Sequence, residues 1–246
     1  MGIGSDGDTT SSKMETYVTF AGAGETDGGL SFGLSSTIAT YSVSDAQAGD
    51  GFSNDGTSVF ISGAFGKLTM GSVDEADKVA ALSDIGGING LGVDNVAEAY
   101  VGAGGHEVNY TYSADAITAS ISGDVSGDNY AVGGKYTMGD YYAALGYNKE
   151  GNDKVTSVYA GGTFGAVKVA AMYSQDDNDE SAVGIHAAYT TGATTLAFEY
   201  ADSDNEAEAA YGVGASYDLG GGASATGGVA SVDGTTVWEA GVAMSF

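Results

Sequence analysis

Carboxylates dominate the reactive side chains of this chain of 246 residues: 33 Asp and Glu stand against seven basic residues, all of them Lys, for a formal charge of −26. Cys is absent, which removes thiol chemistry, thiolate metal sites and any disulfide framework. Without Arg there is no bidentate reader of phosphate or guanine, and the net charge repels a phosphate backbone, so no nucleic-acid partner is expected. The densest informative group is Asp74, Glu75, Asp77, Lys78, Asp84, Asp94 and Glu98, all within residues 73–105. Glu107, Glu199, Asp218 and Glu239 could act as general acids or bases only in a dry pocket that shifts their ionisation. His106 and His186 lie far apart in sequence, with no neighbouring pattern of a triad or a zinc site, so no enzyme is expected. The runs Asp6-Gly7-Asp8 and Asp176-Asp177-Asn178-Asp179-Glu180 gather oxygens that suit Ca2+, but neither has the twelve-residue calcium-loop spacing, and solvated acidic loops are the default reading. Gly2-Ile3-Gly4-Ser5-Asp6-Gly7 matches a dinucleotide fingerprint in letters alone, because it follows no complete strand and opens no helix.

The elements that must position these groups show a period of two. Trp238, Ala240, Val242, Met244 and Phe246 alternate with Glu239, Gly241, Ala243 and Ser245, which a strand places on opposite faces. Tyr211, Val213, Ala215, Tyr217 and Leu219 alternate in the same way with Gly212, Gly214, Ser216 and Asp218. The pattern predicts about fifteen strands, near 14–22, 30–40, 57–63, 67–72, 106–113, 116–122, 129–138, 141–149, 154–164, 166–175, 181–191, 194–202, 208–219, 222–232 and 235–246. Their connections come in two alternating kinds. Short Gly-containing turns such as Thr137-Met138-Gly139-Asp140 and Thr163-Phe164-Gly165-Ala166 alternate with acidic stretches at 44–54, 123–128, 150–153, 175–180 and 202–206. One connection, residues 73–105, is far longer than the rest; it shows no strand alternation, and a helical turn is expected at 75–82.

An open sheet of that many strands would expose two long edges, so closure into an up-and-down barrel is the economical solution. Side chains cannot fill so wide a barrel, and the small, polar parity suits a wet interior. That parity carries Lys13, Glu15, Lys67, Glu107, Lys135, Lys168, His186, Glu199, Asp218 and Glu239. The parity rich in Tyr, Val, Leu and Phe then faces lipid, with Tyr near strand ends as interfacial girdles. Mean hydropathy is −0.02, and no apolar run approaches the roughly 18 residues of a spanning helix.

The stretch Val59-Phe60-Ile61-Ser62-Gly63-Ala64-Phe65-Gly66-Lys67 leading to Met70-Gly71 resembles general bacterial outer-membrane porins of the purple-bacterial type. So do Tyr110-Thr111-Tyr112-Ser113, Tyr211-Gly212-Val213-Gly214-Ala215-Ser216-Tyr217-Asp218-Leu219-Gly220-Gly221-Gly222-Ala223 and the terminal Phe246, in that order along the chain. The resemblance implies an all-β, antiparallel transmembrane barrel of sixteen strands spanning 1–246 as one domain, trimeric and set in outer-membrane lipid of a Gram-negative bacterium. It also implies a third loop, here 73–105, folded inward as an eyelet, and a C-terminal Phe246 read by the barrel assembly machinery. An even strand number is needed to bring both termini to the periplasmic side, so Met1-Gly2-Ile3-Gly4 reads as the tail of a first strand that is otherwise missing, together with the signal peptide.

The function implied is passive diffusion of small hydrophilic solutes and ions. With no Arg on the wall and only Lys13, Lys67, Lys135 and Lys168 to oppose the loop acids, a preference for cations is expected. The alternative from another class is a secreted or surface-layer, calcium-binding adhesive β protein without a pore.

Overall fold

In the computed structural model, which describes residues 1–40, 52–102, 104–125 and 127–246, the alternation becomes one antiparallel sheet of seventeen segments. Its first half comprises β1 (Gly2–Ser5), β2 (Thr10–Lys13), β3 (Thr16–Glu25), β4 (Ser31–Thr40), β5 (Ser53–Gly63), β6 (Gly66–Val73), β7 (His106–Ala114), β8 (Ile117–Gly123) and β9 (Tyr130–Met138). The second half comprises β10 (Tyr141–Glu150), β11 (Asp153–Phe164), β12 (Val167–Asp176), β13 (Ser181–Thr191), β14 (Thr194–Ser203), β15 (Ala210–Gly220), β16 (Ala223–Val232) and β17 (Thr235–Met244). The acidic stretch expected at 44–54 falls mostly outside the described residues.

Each segment from β3 to β17 pairs with its sequence neighbour, and β1 pairs with both β17 and β2. The two ends of this ladder, β2 and β3, are consecutive pieces of chain separated only by Met14 and Glu15. Counted as one interrupted strand they give sixteen; β3 bonds only β4, so among the described residues the ladder is continuous from β3 round to β2 and stays open between β3 and β17. The residues expected to belong to a first strand form β1, whose four residues make the seam: Gly4 faces Glu239 on one side and Ser11 on the other. Because β1 is short, a cleft of about 750 Å3 lies beside it, between residues 16–19 of β3 and the end of β17.

Alternation sorts the side chains as the period-two pattern requires. Leu145, Ile185, Leu196, Phe198 and Val213 stand exposed on the outer face, a continuous apolar surface that would be an aggregation liability in water and is a lipid contact in a membrane. Tyr141 and Phe164 sit 5.0 Å apart, ring to ring, beside the short turns, and Tyr130 and Tyr147 lie 6.1 Å apart toward the opposite rim. The short turns place glycine where φ is positive, as at Gly139 (58°) and Gly192 (57°). One expectation about the opposite rim changes: 150–153 is not a loop, since β10 runs to Glu150 and β11 restarts at Asp153.

The packed apolar core lies in an unusual place. Leu82, Ile85, Leu91, Val93, Val96, Ala97 and Val101, all from the crossing loop 74–105, pack against Ala144, Tyr159, Ala170, Met172, Ala201, Ala210 and Ala230 of the inner wall. The loop therefore folds inside the ring. Its one helix is α1 (Val93–Ala97), not the expected turn at 75–82. That segment forms only a Lys78 N–H to Glu75 C=O turn, because the wall and α1's end take its donors: Ala76 N–H bonds Ser122 Oγ, and Leu82 N–H bonds the Glu98 carboxylate.

Candidate functional site

The crossing loop needs a seat, and the register of the strands supplies one. Inward residues opposite one another across the ladder are small: Gly133 faces Gly146, Gly146 faces Ser157, and Ser157 faces Ser174. Further round, Gly184 faces Ala201, Ala201 faces Ala210, and Gly214 faces Gly228. A methyl group at Gly212 would stand 2.6 Å from Ile85 Cδ1, and one at Gly228 would stand 2.9 Å from Leu91 Cδ1. A strand gains nothing from such glycines by propensity; here the loop's side chains occupy the space that Cβ atoms would fill.

Polar contacts fix the loop at three places. At its tip, Glu239 Oε1 accepts the Ile88 N–H at 2.8 Å, and Oε2 accepts the Asn89 N–H at 3.0 Å. Asn89 Nδ2 donates to Glu15 Oε1 at 2.8 Å, and Thr226 Oγ1 donates to the Gly86 carbonyl. Midway, Lys78 Nζ and Glu98 Oε2 form an ion pair at 2.7 Å, while Tyr159 OH donates to the Asp77 carbonyl at 3.3 Å. At the root, Glu75 Oε1 accepts the N–H groups of Gly104 and Gly105 at 2.7 and 2.8 Å, and Asn148 Nδ2 donates to Oε2. Sequence reading missed these anchoring roles.

Not every acid of the loop faces water. Glu75 and Asp77, expected at the rim of the passage, are 3% and 0% exposed and point into the wall. The reason is their place at the loop's root, where the chain must leave β6 and press onto β9 and β10. Neither oxygen of Asp77 has a hydrogen-bond partner, and burial, then the nearby Glu75, push its carboxyl up to about 6. Asp77→Asn should therefore strengthen the seat, by about 1 kcal/mol at pH 8 once the amide's own desolvation is counted. The check is the melting temperature of the detergent-solubilised protein, which should rise.

Asp84 lies on the open side of the loop, and Asp94, half-buried on α1, is close enough to act on it. Asp84 is exposed yet deep inside the ring, so water reaches it while most of its neighbours are protein; burial first, then Asp94, push its carboxyl up to about 6. Asp94 is also shifted upward, by burial and then by Glu98. Asp84 lines a lumenal recess of about 330 Å3 together with Lys168, His186, Thr190, Thr195 and Ser216. Asp74 is exposed at the loop's root, its carbonyl accepting from Asn109.

The expected lumen residues divide. Lys67 rests over Phe60 at 4.7 Å and Lys135 over Tyr142 at 4.4 Å, both on the inner face. Lys13, paired opposite Gly2 at the seam, shares that face. Glu199 points inward but is covered: it is fully buried, with neither oxygen bonded and His186 Nδ1 at 4.0 Å. Glu107 and Asp218 belong to the rims, where Glu107 accepts the Val125 N–H and Asp218 accepts the Gly220 N–H. Asp6 and Asp176, the candidate calcium ligands, hold their own turns by accepting backbone N–H groups of Thr9 and Glu180 respectively. Phe246 is fully exposed at the chain's end.

Comparison with known proteins agrees with this arrangement. Residues 2–236 match a family model described as Gram-negative porin. The chain is 32% identical to a porin of Rhodobacter capsulatus over 284 aligned positions, covering 95% of this chain and 92% of that protein. Among solved structures, a mutant of Rh. blastica porin superposes with a TM-score of 0.84 at 21% identity, covering 100% of this chain and 96% of that one. A triple mutant of Rhodopseudomonas blastica porin gives 0.79, again at 21% identity and with coverage of 100% and 96%.

Proposed function

The chain belongs to the Gram-negative porin family, outer-membrane channels rather than enzymes, and from that premise we propose a passage for small hydrophilic solutes and ions that prefers cations at its narrowest point. One observation carries the preference. The loop that crosses the lumen presents Asp84 to water, with the half-buried Asp94 near it, while its single Lys, Lys78, is held by Glu98. The free positive charge comes from Lys13, Lys67, Lys135 and Lys168 on the wall, which carries no Arg. Carboxylates at a constriction raise the local cation concentration, and a low-dielectric wall concentrates their field.

A planar bilayer with a KCl gradient tests this directly: the reversal potential at pH 7.5 should carry the cation-selective sign, and an anion-selective sign would overturn the reading. The pH dependence has a defined direction. Asp84 has its carboxyl raised to about 6, so it is ionised above that value and becomes neutral as pH falls through 6 toward 5. Cation preference should therefore be full at pH 7.5 and decline over that interval, with single-channel conductance changing less.

Membership in a channel family takes the place of the surface-layer, calcium-binding alternative. The outer apolar face fits outer-membrane lipid, and a homotrimer is the assembly we propose for it. Phe246, exposed after an alternating last strand, is suited to recognition by the barrel assembly machinery.

A further inference from the structure

The root of the crossing loop holds a set of ligand atoms that the passage of solutes does not use. Glu75 follows β6, His106 opens β7 and Glu150 closes β10, so three separate elements each bring one side chain to the same point. One ligand atom from each lies within 4.8 Å of the other two. The His106 side chain is fully buried and its Nε2 stands 3.2 Å from Glu150 Oε1. Its Nδ1 is 2.7 Å from Ser122 Oγ, which already accepts the Ala76 N–H.

We propose that Glu75, His106 and Glu150 bind a divalent transition metal of the zinc class, which staples both ends of the loop to β10. Two carboxylate oxygens and an imidazole nitrogen make a mixed N and O set that suits zinc and its neighbours, whereas calcium takes oxygen ligands only. The separation fits as well: two ligands at 2.0–2.1 Å from a tetrahedral ion stand about 3.3 Å apart, close to the 3.2 Å between His106 and Glu150. The outer partners are in place. Ser122 orients the imidazole through Nδ1 and so leaves Nε2 toward the carboxylates, and the N–H groups of Gly104 and Gly105 hold Glu75. Glu150 remains partly open to solvent, which gives the ion an entry path and a place for a fourth, water ligand.

The test is Zn2+ titration of the detergent-solubilised full chain after chelator treatment, followed by calorimetry, with Co2+ as a spectroscopic substitute. The expected result is a saturable site with one ion per chain, indifferent to millimolar Ca2+, with affinity weakened at least about tenfold in Glu150→Gln and in His106→Gln. Glu150→Gln alters a partly exposed side chain, so it separates loss of a ligand from loss of the fold, and unchanged circular dichroism of each variant confirms that separation. Co2+ should show visible absorption bands of a four- or five-coordinate ion that vanish in His106→Gln. Zn2+ binding equal in the wild type and both variants, displacement by Ca2+, or no saturable site would each overturn the proposal.

Discussion

Replacing Glu239 by Ala is expected to free the tip of the crossing loop, raise single-channel conductance and increase open-channel current noise. The buried carboxylate accepts two backbone N–H groups of that tip, and hydrogen bonds to a charged group contribute about 1.5–3 kcal/mol each. Losing both costs more than the remaining polar holds can offset, which are the Glu15 to Asn89 bond and the Thr226 to Gly86 bond. Residues 86–90 would then sample positions away from the wall, because loops open locally when their few fixing contacts go. Conductance should rise by roughly a factor of two, the gain expected when a constriction loses one side of its rim. Glu239→Gln retains one acceptor oxygen and should fall between. Unchanged conductance and noise in Glu239→Ala would show that the apolar contacts of Ile85 and Leu91 alone hold the loop.

The same residue marks the limit of what can be read from sequence. Strand positions were legible because a half-wet wall imposes strict alternation, and a slip of a single residue in a strand would have turned its apolar set inward. The crossing loop was legible because 73–105 is too long for a turn and carries no alternation. What alternation cannot distinguish is an inward carboxylate that meets water from one that meets the loop. Glu199 and Glu239 on the strands, and Glu75 and Asp77 in the loop, look alike on paper; all four are buried in the fold. The inward glycines could have been informative, since Gly133, Gly146, Gly184, Gly212 and Gly228 share the lumen parity, yet in a Gly-rich chain they read as ordinary composition. Only the register, which sets Gly133 opposite Gly146 and Gly214 opposite Gly228, reveals that they form a seat. The helix was misplaced for a related reason: the donors of 75–82 are taken by partners distant in sequence, Ser122 and Glu98, whereas Val93–Ala97 follows Gly92 at φ 74° and has its polar positions free to face outward.

Neutralising two acids of the crossing loop together, Asp84→Asn with Asp94→Asn, is expected to remove most of the cation preference while leaving conductance nearly unchanged. Each unit charge acts on an ion about 6 Å away with roughly 0.7 kcal/mol even at the dielectric constant of water. Two of them therefore enrich cations by about tenfold before screening, and by about three- to fivefold at 0.1 M salt, where the Debye length is about 10 Å. The same field depletes anions by the same factor, so the permeability ratio of K+ to Cl− should fall by the square of it, roughly ten- to twenty-fivefold at 0.1 M, and by much less at 1 M. Size should not change: Asn matches Asp in volume, and the Leu91 N–H that Asp84 Oδ1 accepts can bond an amide oxygen instead. The informative contrast is Lys78→Met with Glu98→Gln, which removes a mutually compensated pair and should leave the ratio where it was. If the double neutralisation changes the ratio by less than the control does, the field at the constriction comes from elsewhere on the wall. The acids that anchor the loop would then have to be weighed as sources of that field, beginning with Glu239, whose two oxygens already face the backbone of the tip.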